Sequence, residues 1–269
     1  MTHRDFLDLP ARSAKPRGVG ITHVLDGGLP AAEAPALLET SGDCVDVWKL
    51  GWGTAYLDPG LDAKLKLLAD HRVLACPGGT LLEIAWAQGR TEAFLDWAAE
   101  SGFPCVEVSA GTVPMSRGDK ERLITAAADR FIVLAEVGMK RPEASLTPHQ
   151  WADAATRDLA AGATWVLTEG RESGTVGTYA ATGAVRGDVV EAVVDAASID
   201  CVVFEAPRKD QQAWFVKRYG PDVNLANVRP AEALGLETLR LGLRADTFGV
   251  GQTTTRPWCG IGDHVGERR

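Results

Sequence analysis

Cysteine is sparse in this chain and scattered. Cys44, Cys76, Cys105, Cys201 and Cys259 are an odd five with no CxxC pair, which suggests neither a disulfide framework nor a zinc site. Those in apolar runs read as small buried hydrophobes. Positive charge is also short: 28 Lys and Arg face 36 Asp and Glu, for a net charge of −8. No global basic field therefore draws nucleic acid or anionic lipid, and an anionic ligand needs a local positive site. No stretch approaches ~18–20 uninterrupted apolar residues, and the N-terminal MTHRDFLDLPARSAKPRG has no signal-peptide core, so a cytoplasmic protein without a membrane span is expected. There is no low-complexity linker, no P-loop, no GxGxxG after a strand and no visible Ser-His-Asp arrangement.

What is present is an alternation. Eight short apolar runs occupy 21–26, 45–52, 73–79, 105–111, 131–138, 164–170, 201–207 and 223–228. They are rich in Val, Ile and Leu and bounded by Gly or Pro, as buried parallel strands are. Between and after them lie amphipathic segments that read as helices: 29–42, 61–71, 91–102, 116–129, 147–162, 189–197, 209–220 and 229–243. Thr147 with Pro148 gives a helix start and Gly162 a stop. Eight such pairs in 269 residues fit a single-domain (β/α)8 TIM barrel, with a doubly wound open sheet as the alternative. The expected layout is an N-terminal extension over 1–16, a barrel over 17–249 and a polar, irregular tail over 250–269, a loose extension or an interface arm.

Polar residues gather at the strands' C-terminal ends, where a barrel carries its active site. Asp26 ends the first run, Lys49 is late in the second, Glu107 and Ser109 lie in the fourth, and Asn224 and Asn227 lie in the eighth. Glu136, Glu169 and Glu205 recur late in the fifth, sixth and seventh, in VLAE, VLTE and VVFE. Acids converging on one mouth need a counter-charge. Oxygen ligands without nearby His or Cys favour Mg2+, with Glu136, Glu169 and Glu205 as its expected ligands by position. Lys49, Lys140, Arg171 and Lys209 interleave with the acids, and glycine runs at 51–54, 77–80 and 170–177 allow backbone N–H groups near a phosphate. Together these suggest a small phosphorylated carboxylate as ligand, with Arg171, Lys209, Ser173, Gly174 and Asn224 as binding residues. His23, mid-strand, reads as a satisfied core or barrel-interior histidine, and Trp52 as a wall of the pocket.

Read in order, GITHVLDGGLP, VDVWKLGWGT, PGGTLLE, EVGMK, EGRESG, FEAPRKDQQ and VNLANV with LETLRLGLRADTFG resemble the phosphosulfolactate synthase family from about Arg17 to Gly249. The resemblance implies a (β/α)8 barrel and Mg2+-dependent addition of sulfite to phosphoenolpyruvate, giving (2R)-phospho-3-sulfolactate, a precursor of sulfolactate and, in methanogens, of coenzyme M. It implies Lys140, in the EVGxK segment, as the general acid. Lys49 is expected beside it as a second catalytic lysine, and a homo-oligomer with no nucleic-acid or membrane partner is expected. One departure stands out. Where the family usually reads E(I/V)SDGS, this chain reads EVSAGTVPM, with Ala110 in place of a carboxylate. That leaves open a divergent paralogue acting on another enol phosphate or unsaturated acid, or a non-catalytic ligand-binding barrel.

Overall fold

The computed structural model describes residues 6–139 and 146–251. Among them, eight strands alternate with helices. The strands are β1 (Thr22–Asp26), β2 (Val47–Leu50), β3 (Leu74–Pro77), β4 (Cys105–Val108), β5 (Ile132–Val137), β6 (Trp165–Thr168), β7 (Val202–Glu205) and β8 (Asn224–Val228). The helices are α1 (Ala34–Ser41), α2 (Thr54–Leu57), α3 (Leu61–Asp70), α4 (Gly79–Ala87), α5 (Thr91–Ser101), α6 (Arg117–Ala128), α7 (Pro148–Ala160), α8 (Gly187–Ala197), α9 (Lys209–Tyr219) and α10 (Ala233–Arg240). Every ladder is parallel, and β1 lies between β2 and β8. That order makes a nearly closed (β/α)8 barrel and rules out the open sheet. At the β3–β4 seam, the Cys105 thiol donates to the Ala75 carbonyl at 3.2 Å.

Strand periodicity separates two cores. Val106, Val133, Val166, Val202 and Phe204 point outward and pack beneath the helices. Val47, Cys105, Leu134, Leu167 and Val203 point inward and fill the barrel. Phe204 stacks on Phe215 of α9 with ring centroids 4.4 Å apart, which fixes that helix to β7.

Two helices appear between β3 and β4, where the sequence pattern suggests one. The added helix, α4, opens on Gly78–Gly79 with no side-chain cap and is apolar over most of its length, so neither start signal nor amphipathic period marks it. The Thr147 start is realised as a capping box with Gln150. Gly42 does not stop α1 in a left-handed turn; its φ is −56° and the chain runs on into a 3-10 turn.

The barrel floor is closed by buried Arg240. Its guanidinium donates to the carbonyls of Pro221 (2.6 Å), Val223 (2.5 Å) and Ile21 (3.0 Å). Arg12, in the stretch expected to be an extension, pairs with Asp222 and with Glu237 at 2.9 Å, and so belongs to the packed body. The tail from 252 onward lies outside the described residues.

Candidate active site

The two-residue strand period explains why the acids meet. On four strands the inward position after an apolar one is a glutamate: Cys105 then Glu107, Leu134 then Glu136, Leu167 then Glu169, Val203 then Glu205. On β2 the same step runs from Val47 to Lys49. All five side chains line one cavity of about 230 Å³ at the strands' C-terminal ends, with Leu25, Trp52, Gly78, Gly79, Thr80, Thr112, Arg171, Glu172 and Asn227. The first residues of α4 belong to that wall, so the helix turns its positive end toward the cavity.

Lys49 is the hub. Its Nζ lies 2.7 Å from Glu107 Oε2 and 3.7 Å from Glu205 Oε1. Burial alone would push this ammonium down, but Glu107, Glu205 and Glu136 outweigh it and hold the pKa above the ordinary lysine value. Lys49 is therefore a fixed cation near neutral pH and does not release its proton. Burial, with Glu136 and Glu107 against the opposing Lys49, raises Glu205 to about 7. His23 lies in the barrel interior, as expected, but neither ring nitrogen has a hydrogen-bond partner among the described residues. Burial, then the Lys49 charge, pushes it down to about 3, so it is neutral.

The loops around the cavity are braced from behind. Glu83 of α4 accepts from the Ser109 hydroxyl (2.5 Å) and from the N–H groups of Gly111 (3.3 Å), Thr112 (2.6 Å) and Val113 (3.0 Å). Gly79 donates its N–H to Glu107 Oε1 at 2.9 Å, and a Cβ there would collide with Ser109 and Glu107. After β6, the Arg171 N–H donates to Glu169 Oε1 (2.8 Å) and Glu205 Oε2 (3.0 Å), and the Gly170 N–H to Glu205 Oε2 (2.8 Å). Arg171 has a left-handed φ of 55°, and its side chain lines the cavity without an ion pair to any described residue. Gly177, at φ 65°, passes so close to the Glu169 carbonyl that no Cβ fits. Gln211 of α9 ties this loop down by donating to the carbonyls of Gly174 (2.8 Å) and Gly183 (3.0 Å). The Tyr179 hydroxyl donates to the Glu205 carbonyl.

Of the residues expected from sequence, Lys49, Arg171, Glu136, Glu169 and Glu205 come together, and Trp52 forms part of the wall. Lys140 lies outside the described residues. Four other expected residues are placed elsewhere and do not line this cavity. Asn224 sits at the start of β8, where its Oδ1 accepts from Ile21 N–H (2.9 Å) and its Nδ2 donates to Asp200 and Val202 (both 3.1 Å). It locks the barrel floor, at the end opposite the mouth. Lys209 is exposed and pairs with Asp246 at 3.0 Å. The Ser173 hydroxyl bonds Thr175 at 2.8 Å, and Gly174 serves as Gln211's anchor.

No group of three His, Cys, Asp or Glu is placed to hold an ion among the described residues. At Glu205, two N–H groups hold one oxygen and Lys49 faces the other. Glu107 and Asn227, read from sequence as strand-end polar residues without a site role, also line the cavity; strand parity marks the first and not the second.

The family model described as (2R)-phospho-3-sulfolactate synthase (ComA) matches residues 10–246. The phosphosulfolactate synthase of Methanothermobacter thermautotrophicus is 44% identical over 251 residues, covering 91% of this chain and 97% of that relative. The phosphosulfolactate synthase of Bacillus subtilis is 39% identical over 248 residues, covering 91% of this chain and 98% of its own. Among solved structures, a 3-hexulose-6-phosphate synthase superposes with a TM-score of 0.54 at 16% identity, covering 82% of this chain and all of that one. That likeness is one of fold. No helix among the described residues is long and apolar enough to cross a membrane.

Proposed function

Because the chain belongs to the (2R)-phospho-3-sulfolactate synthase family, we propose that it is a carbon–sulfur lyase adding sulfite to phosphoenolpyruvate to give (2R)-phospho-3-sulfolactate. One observation carries the reading beyond family membership. Segments far apart in sequence (VWKLGW, PGGT, the EGRE of EGRESG, and VVFE) all supply the wall of a single small cavity.

The residues fit the chemistry. The sulfur lone pair of sulfite forms a bond to C3 of the enol phosphate, and the C2–C3 π pair moves toward C2 and the carboxylate. A proton delivered to C2 completes the product. Both reactants are anions, and the charge that develops is negative, so fixed donors matter most. Lys49 supplies a buried positive charge that stays protonated. Arg171 and the amino end of α4 offer donors to the phosphate or sulfite oxygens. Lys140, three residues past β5, is the proposed proton donor to C2, a role that rests on the family resemblance.

Mg2+ is part of this proposal. Five carboxylates (Glu107, Glu136, Glu169, Glu172 and Glu205) against two cations, Lys49 and Arg171, leave the cavity wall with surplus negative charge, which suits a divalent cation. Mg2+ is commonly held by one or two carboxylates with substrate oxygens and water, and Glu136 and Glu169 are the residues we assign to it. When bound, the ion would neutralise charge building on the substrate carboxylate. Purified protein incubated with phosphoenolpyruvate, sulfite and Mg2+ is expected to form phosphosulfolactate by mass spectrometry, and EDTA to suppress it. Absence of product in the Mg2+ reaction defeats the reading.

A further inference from the structure

β8 carries a bulge that the strand pattern does not announce. Its ladder with β1 joins Thr22 to Leu225 and Val24 to Val228. Two steps along β1 thus match three along β8, and one residue of β8 is extra. Ala226 faces the barrel interior and Val228 the outer core, so the extra residue is Asn227. Its φ is 56°, in the left-handed region that asparagine tolerates better than most residues.

Asn227 is thereby released from the in–out alternation and joins the cavity wall. It is only 5% exposed, and its Oδ1 is buried with no hydrogen-bond partner among the described residues. Native proteins seldom leave a buried amide unused. Nor is the backbone conformation an isolated accident. Among the described residues, five non-glycine positions have positive φ, and three of them, Trp52, Arg171 and Asn227, line this cavity. Strained conformations of this kind cluster where side chains must be aimed.

Charge around the mouth is divided by strand. The acids come from β4 to β7, whereas the neighbouring strands β8, β1 and β2 contribute Asn227, Leu25 and Lys49. This second arc is the one without carboxylates. An amide has a donor end and an acceptor end and can turn over to suit a ligand, so an oxyanion seated there takes its N–H2.

Resting on the activity proposed above, we infer that Asn227 is a substrate-binding residue that donates to an oxyanion of phosphoenolpyruvate or to sulfite, on the arc shared with Lys49, and that the β8 bulge exists to aim it. The test is steady-state kinetics of Asn227→Gly and Asn227→Asp in each substrate, with thermal melting. Glycine accepts the left-handed φ, so Asn227→Gly is expected to melt at or above the parent temperature. The KM for one substrate should nevertheless rise about tenfold or more, and the substrate affected identifies the oxyanion. Asn227→Asp keeps size and backbone tolerance but sets a negative charge against the anion, so its KM should rise further. An Asn227→Gly enzyme with both KM values and kcat within about twofold of an active parent overturns the inference and leaves the proposed activity standing. Should the glycine variant not fold, the same outcome in Asn227→Asp overturns it. A parent that forms no product defeats the activity and this role together.

Discussion

Lys49 on β2 and Glu107 on β4 form a 2.7 Å ion pair that reaches past β3, across the seam where the barrel has no backbone ladder between β3 and β4. The pair serves stability and electrostatics together. Replacing Lys49 by Met should strand Glu107 and Glu205 without their cation. Removing one member of a buried pair costs about 3–5 kcal/mol. The stranded acids would take up protons at lower pH, so the deficit should be larger at pH 8 than at pH 5.5. Urea unfolding at both values measures this, and a pH-independent deficit would contradict it. Catalysis should fall by about a hundredfold or more, the scale of losing a preorganised charge.

His23 sets a second pH dependence, of the sign expected for a buried neutral base. Its pKa is about 3 in the folded chain and near 6.5 unfolded. Below pH 6.5 the unfolded chain binds a proton that the folded chain refuses. The stability His23 permits is thus complete above 6.5 and lost progressively as pH falls toward about 3. His23→Leu, of similar volume, removes this loss along with two unpartnered buried nitrogens. The variant should be more stable by about 1–2 kcal/mol at neutral pH, with a shallower decline on acidification. Parallel melts of parent and variant from pH 7 to 4 check it; equal slopes would count against His23.

The FEAPRKDQQ string looks like ligand chemistry, yet its Gln211 acts on the protein. It holds the Gly174 and Gly183 carbonyls, and so the loop from which Arg171 projects. Gln211→Ala leaves two carbonyls short of a donor, which costs about 1–3 kcal/mol and should lower Tm by roughly 3–10 °C for a chain of this size. KM should rise more than kcat falls, because Arg171 is loosened while Lys49 is untouched. An unchanged Tm would show that the loop holds itself.

The barrel and most of its acidic mouth were legible because strand parity is a local signal. Once VVFE is a strand with Val203 inside, Glu205 must be inside too, one layer nearer the mouth. Asn224 misled for the complementary reason: position along a strand decides which end of the barrel a polar residue serves, and Asn224 begins β8 where Glu205 ends β7. Asn227 was visible as a polar residue late in the eighth run, but its turn into the cavity was not, because the bulge depends on pairing with the distant strand β1. Lys209 and Ser173 carry the right chemistry in the right loops, but their partners, Asp246 and Thr175, are set by tertiary contact and loop geometry.

Ala110 remains the sequence feature that most invites a different substrate, and the fold argues against giving it that weight. It is half-buried and stands apart from the cavity wall, which this loop reaches through Thr112. The carboxylate this loop needs is already supplied by Glu83, which gathers the Ser109 hydroxyl and three successive N–H groups. An aspartate at 110 would join a loop already bound to a buried glutamate, adding like charge and no new cavity contact. Ala110→Asp is therefore expected to leave kcat/KM for phosphoenolpyruvate and sulfite within about threefold and to lower stability by about 0.5–1 kcal/mol. Kinetics in both substrates with a melting curve decide the matter. A tenfold gain in phosphosulfolactate formation would mean that the loop restrains the parent enzyme, and would reopen the case for another enol phosphate as its substrate.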